Sequence, residues 1–176
     1  MEKSVLIQGL KEIDPSKPYG TELYDALARL TITVAIEAVC MRLNPVNQKI
    51  EVYLTQRSQQ ETAYPGEWHC PGSALRPGEK IEDVFFRLQE KEFGSHVHLG
   101  KKRFVINVNN LTEARGHFLL LVYLCELVDD DVRNWDVSRL KGKWFPVNQL
   151  PDKTVESHRK DIIPAALGEF KPITPI

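Results

Sequence analysis

The sequence predicts an α+β fold, a β-sheet with helices packed on its faces. Three observations carry this. Thr31 to Leu43 is rich in β-branched residues, and a turn and a second strand-like run follow it. Ile81, Val84, Phe85 and Leu88 recur at i, i+3, i+4 and i+7, the period of a helix with one apolar stripe. From Leu119 to Leu124 both alternating sets are apolar, the pattern of a central strand covered on both sides. The 176 residues, 42% of them hydrophobic, suit one domain that buries its own core.

Residues 1–20, punctuated by Pro15, Pro18 and Gly20, read as an irregular arm. Residues 21–170 read as a single domain and 171–176 as a tail. Thr21 opens a short helix with Leu23, Leu27 and Leu30 on one stripe. Thr31–Leu43 and Lys49–Arg57 form a hairpin across Asn44-Pro45-Val46-Asn47. Ser58–Gly66 is polar and reads as an exposed loop. Glu67–Cys70 reads as a short strand, and Pro71–Gly78, with two prolines and two glycines, as a constrained loop. A helix follows over Glu79–Phe93. Glu79, Glu82 and Asp83 suit the positive end of its dipole, and Gly94 stops it. Strands are expected at Lys102–Val108, His117–Leu127 and Lys143–Val147, then a last helix over Val155–Leu167, interrupted at Pro164.

Composition narrows the function. Lys plus Arg is 23 and Asp plus Glu is 24, a balance that argues against duplex nucleic acid as a partner. Three scattered cysteines with no C-x-x-C pair argue against a disulfide framework and a cysteine-rich zinc site. The opening residues lack a long apolar core, so no signal peptide is expected. The longest apolar stretch, Phe118–Cys125, is too short to span a bilayer. A cytoplasmic protein without a membrane partner is the expectation; the oligomeric state is open.

The stretch Trp68-His-Cys-Pro-Gly-Ser-Ala-Leu-Arg-Pro-Gly-Glu79, with the helix ending at Phe93-Gly94, resembles the box of the Nudix family, G-x5-E-x7-R-E-U-x-E-E-x-G-U with U aliphatic. Without a gap, Ser73 falls on the first Gly, Glu79 on the first Glu, Arg87 on the Arg, Glu92 on the last Glu and Gly94 on the last Gly. Pro71-Gly72 matches the usual lead-in, and Trp144-Phe-Pro-Val-Asn-Gln-Leu-Pro151 resembles a late family segment. The resemblance implies an α/β/α sandwich around a mixed β-sheet. It also implies a Mg²⁺- or Mn²⁺-dependent hydrolase of a nucleoside diphosphate linked to another group.

The box is degenerate. Leu88 and Lys91 stand where the family has carboxylates, and Gln89 and Ser95 replace aliphatic residues. Positions 88, 91 and 92 lie at i, i+3 and i+4, which a helix presents together. A divalent cation wants oxygen ligands there, whereas this chain offers one carboxylate, one ammonium and one apolar group. A one-residue shift would bring in Glu90, but an insertion in a regular helix turns every later side chain by about 100°, so the ungapped match is kept. The resemblance then assigns Glu92, Arg87 and Glu79 to catalysis, and Glu92, the Gly72 carbonyl and Glu113 to the metal. Lys91 and Trp68 fall to a small-molecule, nucleotide-type substrate. Activity weakened or lost is part of this reading; the alternative is a non-catalytic nucleotide- or phosphate-binding module in which Lys91 contacts a phosphate.

Plainer readings stand beside these. Glu92 is equally a solvated carboxylate, Glu79 a helix-start residue, and Arg87 a partner for Glu90 or Asp83 one turn away. Leu88 continues the core stripe. Gly72 is a turn glycine, and Glu113 sits in a loop where no spacing fixes its role. Trp68, Tyr64 and Phe118 offer flat faces for stacking, with core packing the default. His96 and His98 lack a third ligand nearby. His69 and Cys70 point to opposite faces of a strand. Asp129–Asp131 reads as a solvated loop.

Overall fold

Residues 2–15, 17–94, 97–129 and 141–172 are described by the computed structural model. His96 and Asp130–Asp131 lie outside them. The β-branched run forms β1 (Ile32–Leu43), and β2 (Ile50–Gln56) returns antiparallel to it with Met41 opposite Val52 and Leu43 opposite Ile50. Asn44 builds the turn, its Oδ1 accepting the Val46 and Asn47 amides at 2.9 and 3.2 Å.

β1 is the axis of the sheet. It runs parallel to β6 (Gly116–Asp129) from Ile32 opposite His117 to Cys40 opposite Cys125. It is antiparallel to the short β4 (Gly72–Ala74), with Glu37 opposite Gly72. β3 (Trp68–His69) and β7 (Lys143–Pro146) flank β2, and β5 (Val97–Glu113) pairs antiparallel with β6. The order β3-β2-β1-β6-β5, with one parallel pair among antiparallel ones, is the mixed sheet the resemblance implies.

The expected elements differ in detail. Residues expected to be an irregular arm begin with helix α1 (Lys3–Lys11), which precedes the prolines and buries no side chain. Part of the expected Pro71–Gly78 loop is β4, because its backbone bonds to the edge β1 leaves open beyond β2. The expected Glu79–Phe93 helix is α3 (Ile81–Leu88) continued by a π-turn, Gln89–Phe93, up to Gly94 at φ 110°. The last helix begins as a π-turn, His158–Ile162, and becomes α4 (Ile163–Glu169); Pro164 lies just past the π-turn, where the helix already departs from regular α geometry. α2 (Thr21–Ala28) forms as expected.

Side chains alternate across β1 and sort the core into two layers. Ile36, Ala38 and Cys40 pack with Val84, Phe85 and Leu88 of α3 and with Phe93. Ala35, Val39 and Met41 pack on the other face with Ile162, Ile163 and Ala166. Each fully buried Leu, Val or Phe contributes roughly 1.5–3 kcal/mol, so α3 is held by its stripe. Its start is fixed locally: the Lys80 amide donates to Asp83 Oδ2 at 2.8 Å. Among the described residues no helix is long and apolar enough to cross a membrane.

Candidate functional site

One residue interrupts the apolar row on the α4 face of β1: Glu37, between Ala35 and Val39. It lines a cavity of about 670 Å³ at the open end of that face, with Ala35, Phe118 and Leu120 beneath. The β4 loop, the end of α3, and residues near Tyr64 and Glu113 form its walls. That volume suits a small organic ligand.

Arg87 braces the wall. Its Nε and Nη2 donate to the two Glu79 carboxylate oxygens at 2.8 and 2.7 Å. Nη1 donates to Ser73 Oγ at 2.7 Å and Nη2 to the Ala74 carbonyl at 2.9 Å. The same carboxylate accepts the Arg76 amide at 2.8 Å. The Arg87 guanidinium therefore holds the Glu79 carboxyl below its ordinary range. Arg87 thus takes Glu79, not Glu90 or Asp83, as its partner. Glu79 does not line the cavity and reaches it only through Arg87. This half of the box is a scaffold that ties loop to helix.

The other half departs from the expected geometry. Leu88 is fully buried in the α3 core layer, whereas Lys91 and Glu92 line the cavity. Lys91 Nζ lies 3.3 Å from Glu92 Oε1. Glu92 is itself buried, and its carbonyl accepts from Tyr53 Oη at 3.0 Å. Lys141 Nζ donates to the carbonyls of Glu90 and Lys91 at 2.8 and 2.9 Å, satisfying the last turn. Glu90 is exposed and outside the cavity lining. A π-turn is the device by which a helix takes in an extra residue, so the rigid-helix reason for rejecting a shift fails here, yet Glu90 still does not reach the site.

Gly72 and Glu113 both line the cavity. The donor set nevertheless does not fit a divalent cation. Position 88 faces the core, an ammonium already sits on Glu92, and among the described residues no group of three or more His, Cys, Asp or Glu side chains could hold a metal ion. Glu113 instead accepts from Tyr64 Oη at 3.0 Å, and burial pushes its carboxyl up. Trp68 does not line the cavity; its ring packs edge-on against Phe145 at a centroid distance of 4.8 Å, the core role that aromatic rings take by default. Of the three aromatics considered for stacking, Tyr64 and Phe118 line the cavity.

Sequence reasoning missed several cavity residues. Glu37 is 7% exposed, and its Oε2 has no hydrogen-bond partner. A Cβ added to Gly72 would lie 2.4 to 2.6 Å from the Glu37 carboxyl group, so only glycine leaves room for it. Burial, then Glu113, and more weakly Glu92, push Glu37 up to about 8 against the pull of Arg57. His158 Nδ1 accepts the Cys70 amide at 3.0 Å, and His69 Nε2 lies 3.2 Å from Thr55 Oγ1. Burial lowers both imidazoles to about 3, helped by Arg57 at His69 and by His69 and then Arg57 at His158. Arg57 and Arg115 converge on Glu61 Oε2, each at 3.0 Å. An acidic residue inside a β-branched run was the one legible signal. The Cys70–His158 contact joins positions 88 apart in sequence and leaves no local trace.

No curated protein sequence matches the chain. Among solved structures it is similar to the NUDIX domain of Shewanella oneidensis NrtR complexed with ADP ribose, at 20% identity and a TM-score of 0.59, over 97% of this chain and 100% of that one. It spans 62% of the length of the NrtR chain in another crystal structure, at 21% identity, a TM-score of 0.57 and 77% of this chain. NrtR has also been crystallised with a 27mer DNA. A MutT NUDIX hydrolase from Burkholderia pseudomallei is 20% identical, with a TM-score of 0.54 over 78% of this chain and 97% of that one. These likenesses show the fold. The NUDIX domain family model matches residues 35–166, three quarters of the sequence, and the chain belongs to that family.

Proposed function

We propose that the cavity binds a small molecule of the nucleoside-diphosphate-linked class without a divalent cation. One observation carries this: the Lys91 ammonium sits on Glu92, beside a position 88 that is buried in the core. A point charge there serves a phosphate as a bound cation would. Arg57, Arg76 and Arg115 around the same cavity add to the attraction. The overall charge of -1 supports a small ligand over duplex DNA, and a cytoplasmic location suits such a ligand. ADP-ribose, bound by the NrtR domain, is the first probe. Calorimetry is expected to show binding that is equal in EDTA and in Mg²⁺, with no release of phosphate or monophosphate.

A second reading, a Mg²⁺- or Mn²⁺-dependent Nudix-type diphosphate hydrolase, is favoured by Gly72 and Glu92 both lining the cavity. In that reading Glu92 is the remaining box ligand and Arg87 and Glu79 hold its frame. Metal-dependent product release that disappears in Glu92→Gln would establish it and overturn the first.

A further inference from the structure

Two arginines from different parts of the fold meet in the cavity wall. Arg57 follows β2 and Arg115 sits in the turn between β5 and β6, and the Nη2 of each donates to the same oxygen, Glu61 Oε2, at 3.0 Å. All three residues line the cavity. We propose that Arg57 and Arg115 form a phosphate subsite whose place is held by the chain's own Glu61 carboxylate, and that a phosphorylated ligand binds by displacing it. The inference rests on the nucleotide reading above and deepens it. The ligand's phosphates gain a second anchor besides Lys91, and the site gains a plug that the ligand must remove.

The arginines are fixed, whereas the carboxylate is free to leave. Each arginine side chain is 17% exposed, against 35% for Glu61. Arg115 Nε lies 3.2 Å from Asp25 Oδ1 of α2, and Arg57 Nε donates to the Ala63 carbonyl at 2.9 Å. Glu61 rides on the loop 58–66, which is closed at its base by the Arg57 amide donating to the Glu67 carbonyl at 2.9 Å, so it swings out without opening the sheet. Within that loop Tyr64 holds φ 53°, a left-handed conformation that residues other than glycine rarely adopt, so side-chain bonds rather than local preference keep the loop in place. Cations this little exposed need anions beside them; Asp25 supplies one and Glu61 the other. Against burial, which raises it, Arg57, Arg115 and more weakly Lys91 hold the Glu61 carboxyl below its ordinary range. The lysine and the two arginines thus address one anion. Both arginine bonds end on a single carboxylate oxygen, whereas a phosphate offers each guanidinium its own oxygens in the planar fork that arginine prefers.

The test is calorimetry and hydrogen exchange on the full chain in EDTA, with pyrophosphate, ADP-ribose and adenosine as probes. Glu61→Gln keeps the size of the side chain and removes the competing charge. It is expected to bind pyrophosphate and ADP-ribose about tenfold tighter than the parent, the factor for a subsite that its plug leaves open about a tenth of the time, and to bind adenosine no differently. Pyrophosphate, too small to cover the loop, is expected to speed amide exchange over 58–62 in the parent by about threefold or more. Glu61→Gln is expected to show that faster exchange without ligand. Thermal melts check that the variant is folded; if it is not, exchange in the parent decides. Phosphate-containing probes bound by Glu61→Gln no tighter than by the parent would make Glu61 a structural ion-pair partner and overturn the plug. ADP-ribose binding that weakens in Lys91→Glu would then leave the phosphate reading standing. Tighter binding with no faster exchange in the parent overturns the plug as well, because it reports the field of one lost charge and not a displacement. Adenosine tightened by the same factor overturns the phosphate subsite. If pyrophosphate binds neither form, the ADP-ribose ratio decides. Silence from every probe overturns both readings.

Discussion

The two faces of β1 are built from one strand and do different work. Toward α3 the row Ile36, Ala38, Cys40 is dry and closed by Val84, Phe85 and Leu88. Toward α4 the row Ala35, Glu37, Val39 holds a carboxyl at its centre, and the cavity opens there. The dry face supplies stability; the other tolerates an unsatisfied buried group, a cost that proteins keep mainly at sites of function. The box helix straddles the two. Leu88 goes to the dry face, and Lys91 and Glu92 go to the cavity.

The largest expected effect comes from forcing the dry face to behave like the other. Leu88→Glu removes a fully buried leucine and buries an unpaired carboxylate, at a cost of about 5 kcal/mol, much of a domain's stability. Denaturant unfolding in Mg²⁺ and in EDTA measures it. Equal losses in the two buffers are expected, because position 88 faces the core. Rescue by Mg²⁺ would show that it turns into the cavity and that the box face can be restored.

Next comes the brace between the faces. Arg87→Ala deletes four hydrogen bonds and strands the Glu79 carboxylate, for an expected loss of about 3 kcal/mol by urea denaturation. Glu79→Gln should cost less, since the guanidinium keeps its bonds to Ser73 and Ala74. If the two variants lose the same amount, the ion pair alone carries the brace.

Lys91→Glu is expected to leave stability within about 0.5 kcal/mol, because the ammonium is well exposed and exposed pairs contribute little. The cavity should change instead. Placing a carboxylate beside Glu92 is expected to weaken ADP-ribose binding about tenfold and to create a weak, roughly millimolar Mn²⁺ or Mg²⁺ site, both read by calorimetry. Unchanged ligand affinity would take Lys91 out of the phosphate contact.

The two faces were unequally legible. The dry face follows from local periodicity: the Ile81, Val84, Phe85, Leu88 stripe and the doubly apolar β6 name their own core. The box spacing likewise located Arg87, Glu92 and Gly72. What failed was whatever depends on distant pairing. Glu37 is important because β4 lays Gly72 against it, and His158 because the Cys70 amide points at it. Trp68 offered stacking or core packing from sequence alone, and the structure sets it against Phe145. Periodicity put Leu88 in the core, where it is, but the π-turn that follows it carries Lys91 and Glu92 to the cavity, so the shared face expected for positions 88, 91 and 92 does not form.

The smallest expected effect separates the faces by proton linkage, since the dry face has no group that titrates near neutrality. Burial holds Glu37 at about 8 against an ordinary 4.5, so the folded protein keeps a proton that the unfolded chain gives up. Its contribution is whole below pH 4.5 and is lost as pH climbs toward 8. The burial-driven shift of Glu113 has the same sign. His69 and His158 behave oppositely: at about 3 against 6.5, they refuse protons that the unfolded chain accepts, so their contribution is whole above 6.5 and is lost as pH falls toward 3. Between 4.5 and 6.5 the two histidines outweigh the one Glu37, and stability rises with pH. Above 6.5 the histidines are silent and Glu37 makes it fall. Thermal melts from pH 4 to pH 9 should therefore show a maximum near pH 6.5. Glu37→Gln should remove much of the alkaline fall and leave the acidic rise in place. A parent whose stability stays level from pH 6.5 to 8 would place an ionised carboxylate on the floor, and the contrast between the faces would then be one of charge as well as polarity.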